Sequence, residues 1–233
     1  MNDITASVIE SFSQTEDPRL KAIMSSLVKH LHAFAQDVKL TEAEWFRGIE
    51  FLTAVGQKCT NKRQEFILLS DVLGLSMMTV AMNNDRPAGC TESTVFGPFY
   101  VDDAPHYENG DDVSNGASGQ ACLVHGTVKN SDGQPVSNAT IDVWQADDEG
   151  FYDVQKENLN HAQARGVLHS KVDGSFNFKS IVAEAYPIPM DGPVGTMLEA
   201  TLRSPWRPAH LHFMIKADGY ETLITHVFKK GDS

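Results

Sequence analysis

The stretch Asn83-Asn84-Asp85-Arg86-Pro87 decides how this chain is read, because the sequence changes character on either side of it. Polar turn formers followed by a pre-proline residue stop a helix. Upstream, apolar residues recur at helical intervals. Asp17-Pro18 supplies an N-cap with proline at the first helical position, after which Leu20, Ile23, Met24, Leu27, Val28, Leu31, Phe34, Ala35 and Val38 mark a long amphipathic helix. Ile4, Val8 and Phe12 give a shorter stripe before it. Thr41 and Glu44 have the form of a capping box, opening a helix with apolar positions at Trp45, Ile49 and Leu52. A fourth segment, from about Lys62 to Met82, is apolar on most sides and predicts a helix buried against its neighbours and another domain.

Downstream, Gly and Pro punctuate short alternating runs at 121–129, 140–145, 176–178, 211–215 and 222–228. Such spacing reads as an all-β sandwich or barrel. Asn130-Ser131-Asp132-Gly133 has the chemistry of a hairpin turn. The expected fold is therefore α+β, with an N-terminal helical region over 1–88 and an antiparallel β-sandwich over 89–233, joined between residues 83 and 91.

At 233 residues and 41% apolar content the chain has material for a sizeable core, and its formal net charge of −12 argues against nucleic acid or an anionic membrane as partner. Cys59, Cys90 and Cys122 are odd in number, widely spaced and without a C-x-x-C pair, which points to a reducing compartment. The first residues lack a basic region followed by an apolar core, so no secretory signal is expected. The longest apolar run, 66–82, is broken by Ser70, Asp71 and Ser76 and is short for a membrane span. Together these predict a cytoplasmic protein that is not integral to a membrane.

Chemistry enters at Arg207-Pro208-Ala209-His210-Leu211-His212-Phe213. In a strand, successive side chains point to opposite faces, so His210 and His212 share one face and Leu211 and Phe213 the other. Two same-face imidazoles reach one metal ion without moving the backbone. The plainer reading, a polar strand face turned to water, stands level with it on pattern alone. Zinc, copper and iron all accept paired imidazoles. Tyr152 and Tyr186 each lie beside turn-forming residues, and a bound trivalent cation would ionise a phenol whose ordinary pKa is about 10. Phenolate oxygens favour Fe(III). Position alone does not single out these two over Tyr100, Tyr107 or Tyr220, and a tyrosine beside glycine or proline is commonly a packing residue.

The series TESTVFGPFY, GFYD after DVWQAD, AYPIP and RPAHLHF resembles the intradiol ring-cleavage dioxygenases, most nearly their hydroxyquinol-cleaving branch, over almost the whole chain. That resemblance implies Tyr152, Tyr186, His210 and His212 as protein ligands of one non-haem Fe(III) per chain. It implies intradiol cleavage of an aromatic diol or triol by O2, with hydroxyquinol giving a maleylacetate or 3-hydroxymuconate type of product and catechol or chlorocatechol as alternative substrates. By the same resemblance Tyr186 is the ligand that leaves and takes a substrate proton, and Arg207 stabilises negative charge on the ring. Leu68 and Asp71, Val95-Phe96-Gly97-Pro98-Phe99 and Ile188-Pro189 would form the substrate pocket, with Asp71 accepting from a third ring hydroxyl. A homodimer joined through the N-terminal helices, with lipid as a candidate guest at that interface, is implied too.

Two features depart from the family pattern. His226 stands where catechol-cleaving relatives carry glutamine, which fits the hydroxyquinol branch or an outer residue orienting a ligand. Family members also continue with more β structure beyond Lys230-Gly231-Asp232-Ser233. Two other classes compete. The 128–143 run, with Gly133-Gln134-Pro135-Val136, also resembles metal-free transthyretin-like binding modules, and a histidine-rich zinc or Fe(II) site of the cupin type would use the same imidazoles.

Overall fold

A computed structural model describes residues 2–60, 63–156 and 158–232. Lys62, the expected start of the fourth helical segment, and Ser233 lie outside the described residues. The chain divides into two compact units, 1–57 and 58–233.

The first unit is helical: α1 (Asn2–Glu10), α2 (Pro18–Asp37) and most of α3 (Glu42–Lys58). The sequence signals act at atomic detail. Asp17 Oδ1 accepts from the amides of Arg19 at 2.8 Å and Leu20 at 3.2 Å, satisfying donors that have no partner inside the helix. Glu44 accepts from the Thr41 amide at 2.9 Å while the Glu44 amide donates to Thr41 Oγ1 at 3.3 Å, a reciprocal capping box. No residue of α2 is buried, and its apolar row, with Phe34 56% exposed, lies open.

In the second unit the single buried helix expected over 62–82 is instead two short ones, α4 (Glu65–Val72) and α5 (Leu75–Asn83), bent by 77°. Gly74 between them takes a left-handed φ of +76°, a conformation that ends a helix and that glycine adopts without a Cβ penalty. Only Glu65 and Leu69 are buried on α4 and none on α5. Phe66, Ile67, Met78 and Met82 are exposed, so apolar content on all sides did not translate into burial on all sides. Among the described residues no single helix is long and apolar enough to cross a membrane. The compact units part at 57/58, so α4 and α5 fall in the same unit as the strands. α4 belongs with the β part because the Glu65 carboxylate accepts from the Val194 amide at 3.2 Å, at the start of α6 (Pro193–Ala200).

The β part contains β1 (Ala121–Thr127), β2 (Thr140–Gln145), β3 (Arg165–His169), β4 (Ser175–Ile181), β5 (Tyr186–Pro187), β6 (Trp206–Arg207), β7 (His210–Lys216) and β8 (Leu223–Phe228). An antiparallel sheet runs β3-β2-β7-β8, and β1 pairs with β4 in a second sheet. Ile141, Val143, Leu168, Phe176, Phe178 and Phe213 pack together as the sandwich core. Alternation sends their neighbours to the opposite face: Trp144 on β2 and Met214 on β7 pack with Tyr152 and Tyr186 in a separate cluster. The expected turn at 130–133 is present, with the Gly133 amide donating to Asn130 O at 3.0 Å and Gly133 at φ +79°, closing a local Lys129–Pro135 bridge.

Candidate metal centre

The outer face of the β2-β7-β8 sheet carries the site. Register places Trp144, His212 and His226 opposite one another on three adjacent strands. His210 lies two residues along β7 on the same face, as the alternation requires. Both β7 histidines are buried, while Leu211 and Phe213 pack toward the sandwich core.

The tyrosines arrive from loops. Tyr152 follows a tight turn at Gly150, whose φ is +82°, and its amide donates to Gln155 Oε1 at 2.9 Å. Asp153, next in sequence, pairs with the buried Arg165, which also donates to Phe99 O at 2.9 Å. Phe99 in turn stacks on Tyr152, ring centroids 4.3 Å apart. Tyr186 opens β5 and pairs with Arg207 on β6, whose guanidinium lies 5.9 Å from the Tyr186 ring centre.

Four donor atoms from these segments converge. Tyr152 Oη lies 3.0 Å from His212 Nε2, 3.4 Å from His210 Nε2 and 3.4 Å from Tyr186 Oη, and the two Nε2 atoms are 3.1 Å apart. Metal bonds of about 2.0–2.2 Å set neighbouring ligands roughly 2.9–3.5 Å apart, and the four measured edges have that spacing, three of them from Tyr152 Oη and one between the imidazoles. His210 Nδ1 lies 2.7 Å from the Pro208 carbonyl, which only accepts. The proton therefore sits on Nδ1, and Nε2 turns a lone pair to the cluster. Burial holds His210 down to about 4 and His226 to about 3, lowers His212 well below the ordinary range, and pushes the Tyr152 phenol far up. Buried neutral imidazoles are ready-made ligands. A cation among them reverses the preference of the phenol, because its charge stabilises the phenolate that burial alone disfavours.

The expected pocket residues are distributed as follows. Gly97 approaches the centre so closely that a Cβ there would lie 3.1 Å from His212 Cε1, and Phe96 packs edge-on against Trp144. Thr94 N donates to Ile224 O at 2.9 Å and Thr225 Oγ1 to Glu92 O at 2.9 Å, fastening the segment that leads into Val95 onto β8. Pro98 is exposed, as is Pro189, whereas Ile188 is buried and its amide donates to Pro205 O at 2.9 Å. Leu68 and Asp71 are half-buried, one turn apart on α4.

The 95–233 stretch matches the family model described as "Dioxygenase", and 17–91 matches "Catechol dioxygenase N terminus". The 6-chlorohydroxyquinol 1,2-dioxygenase of Cupriavidus pinatubonensis is 64% identical over 231 residues, spanning 99% of this chain and 84% of that protein. The chain belongs to the intradiol ring-cleavage dioxygenases. The hydroxyquinol 1,2-dioxygenase of Nocardioides simplex is 55% identical over 99% of the chain and 78% of that protein. The crystal structure of hydroxyquinol 1,2-dioxygenase from Pseudomonas putida DLL-E4 superposes with a TM-score of 0.95 at 49% identity, covering 98% of this chain and 80% of that one. Membership in this family removes the transthyretin-like and cupin alternatives.

Two residues beside the candidate centre escaped sequence reasoning, and a third was seen without its neighbour. Trp144 stacks on His212 at 4.7 Å and 14°, and its strand parity could have flagged it. Arg165 lies in a strand the sequence pattern did not show. His226 was noticed, but its place beside His212, centroids 4.2 Å apart, follows from cross-strand register. His210, His212 and His226 each bring a ring nitrogen within 4.8 Å of the others. His212 Nδ1, His226 Nε2 and Trp144 Nε1 are buried with no hydrogen-bond partner among the described residues.

Proposed function

We propose that this intradiol dioxygenase binds one Fe(III) through Tyr152, Tyr186, His210 and His212 and cleaves hydroxyquinol with O2 to a maleylacetate or 3-hydroxymuconate type of product. The observation that carries the reading is the convergence of two phenol oxygens and two imidazole nitrogens within 3.4 Å along each measured edge from Tyr152 and between the imidazoles. The names of the relatives supply the substrate class. Ferric iron, when bound, takes electron density from a chelated aromatic diolate and so opens the ring to O2.

The chain's own residues then have distinct tasks. Tyr152 is stacked on Phe99 and buried, which suits a ligand that stays in place. Tyr186 sits under Arg207, whose permanent charge lowers the cost of negative charge on a phenolate or on a substrate oxygen beside it. Tyr186 Oη is thus the site to which a substrate hydroxyl passes its proton. Gly97 packs its backbone against His212, where a Cβ would come within 3.1 Å of Cε1, and Trp144 stacks on the same imidazole, so both fix its orientation. Asp71, half-buried on α4, is assigned the third ring hydroxyl.

The iron-loaded protein should be red through tyrosinate charge transfer. Tyr152→Phe or Tyr186→Phe should shift or abolish that band, and an unchanged band overturns the ligand set. Oxygen uptake with hydroxyquinol, catechol and chlorocatechol side by side tests the substrate, and equal turnover of all three overturns the hydroxyquinol assignment.

The open apolar row on α2, continued by Trp45, Phe46 and Ile49 on α3, supports a homodimer joined through the N-terminal helical region, with an acyl chain as a fitting guest. A monomer in solution scattering overturns it. Absence of disulfides among the three cysteines suits a reducing cytoplasm.

A further inference from the structure

We infer that Glu65, with Arg63, Asp191 and Arg203, is a positioning clamp that sets which ring substituents the site accepts, by fixing α4 against the chain excursion carrying Tyr186 and Arg207. The inference rests on the proposed role of α4 as a pocket wall and goes beyond it by naming what holds the wall.

Glu65 is fully buried, although a carboxylate in such a place is costly unless paired. Its oxygens are divided between two partners. Oε2 accepts from Arg63 Nε at 2.9 Å, with Arg63 Nη2 2.7 Å away, and Oε1 accepts from the Val194 amide at 3.2 Å in the first turn of α6. The start of a helix favours an anion there. Arg63 extends the tie to Asp191, just before α6, with Nη1 donating to Oδ1 at 2.6 Å. Gly192 makes the close approach feasible, since a Cβ at that position would collide with the Glu65 carboxylate.

The far end of α4 is held as well. Arg203, just past the end of α6, donates from Nη1 to the Val72 carbonyl at 2.7 Å, an acceptor left over at the end of α4. Both ends of α4 are thus tied to the segment that contains α6, one at its first turn and one just past its end. The excursion that contains α6 begins at Tyr186 and returns at Arg207, and those two residues are direct cross-strand partners. Leu68 and Asp71 lie between the two tethered ends of α4. The distance from Asp71 to the Tyr186–Arg207 pair is thus set by Glu65 at one end and Arg203 at the other. A shift there affects recognition of a third hydroxyl more than chemistry at the metal.

Two variants test this. Glu65→Gln keeps the acceptor for Val194 but turns an amide toward Arg63, and Arg203→Ala removes an exposed donor with little risk to folding. Each should raise KM for hydroxyquinol roughly three- to tenfold, the worth of one hydrogen bond, while KM for catechol and both kcat values stay put. Amide exchange in α4 should quicken by about tenfold or more with the β7 amides unchanged. An unchanged ratio of the two KM values in both variants, or undiminished α4 protection, overturns the clamp. Asp71→Asn separates the two claims: if it leaves the ratio alone, the role given to Asp71 fails, whereas the clamp still stands or falls on the other two variants. If the wild type consumes no O2 with either substrate, the functional reading fails and α4 exchange alone decides the clamp.

Discussion

Gly150 lets the tyrosine pair approach, and replacing it with alanine separates two costs that usually come together. Its φ of +82° lies in the left-handed region, so any Cβ adds about 1–2 kcal/mol of backbone strain. The added Cβ would also sit 2.8 Å from Tyr186 Cβ, and reaching ordinary contact near 3.4 Å requires a movement of about 0.6 Å. Neither atom can swing away by changing rotamer, because both are fixed to the backbone. Overpacking of this kind costs about 1–3 kcal/mol more. Gly133→Ala provides the control: its φ is +79°, and nothing lies within 4 Å of the added atom. It should lose only the strain, about 1–2 kcal/mol, whereas Gly150→Ala should lose about 2–5 kcal/mol. For a chain of this length each kcal/mol corresponds to about 2–4 °C in melting temperature. The second readout is local. A 0.6 Å displacement of Tyr186 exceeds the tolerance of roughly 0.2 Å within which a metal–ligand bond keeps its geometry. The charge-transfer band of the iron-loaded Gly150→Ala protein should weaken or shift, and that of Gly133→Ala should not. Equal stability losses in the two variants, with both bands intact, would refute the claim that close approach at Gly150 positions the second tyrosine.

The Asp153–Arg165 pair is nearly solvent-free, with side chains 6% and 3% exposed. Asp153→Ala should therefore cost about 3–5 kcal/mol by leaving a buried guanidinium unpaired, while Asp153→Leu with Arg165→Met should recover much of that loss in urea unfolding. In the iron-free protein, acid should destabilise the β part through its histidines. Burial depresses His210 to about 4 and His226 to about 3, so the unfolded chain takes up protons near the ordinary pH of about 6.5 that the folded chain refuses. Stability is full above that pH and falls as pH drops toward about 4; a flat melting temperature from pH 7 to pH 4 would contradict this. Chelation of iron should lower the melting temperature at neutral pH, since a metal held only by the folded state stabilises that state by an amount that grows with the logarithm of its affinity. Equal melting with and without chelator would count against a metal gripped by the four donors.

The sequence by itself determined what is local. Capping at Asp17 and at Thr41 with Glu44, the hairpin turn at 130–133 and the shared face of His210 and His212 each depend on bonds or periods spanning a few residues, and each is present. The family motifs named the tyrosines, which periodicity could not. The tertiary structure decided what depends on distant partners. The break at Gly74 was hidden because an apolar run looks alike in one helix or two. α4 joined the β part through contacts made more than a hundred residues later, at Val194 and Arg203. Trp144, His212 and His226 line up only because β2, β7 and β8 pair in one particular register. A side chain's face is set by its own backbone, but the company it keeps is set by which strands pair, and in this chain that pairing assembles the donors.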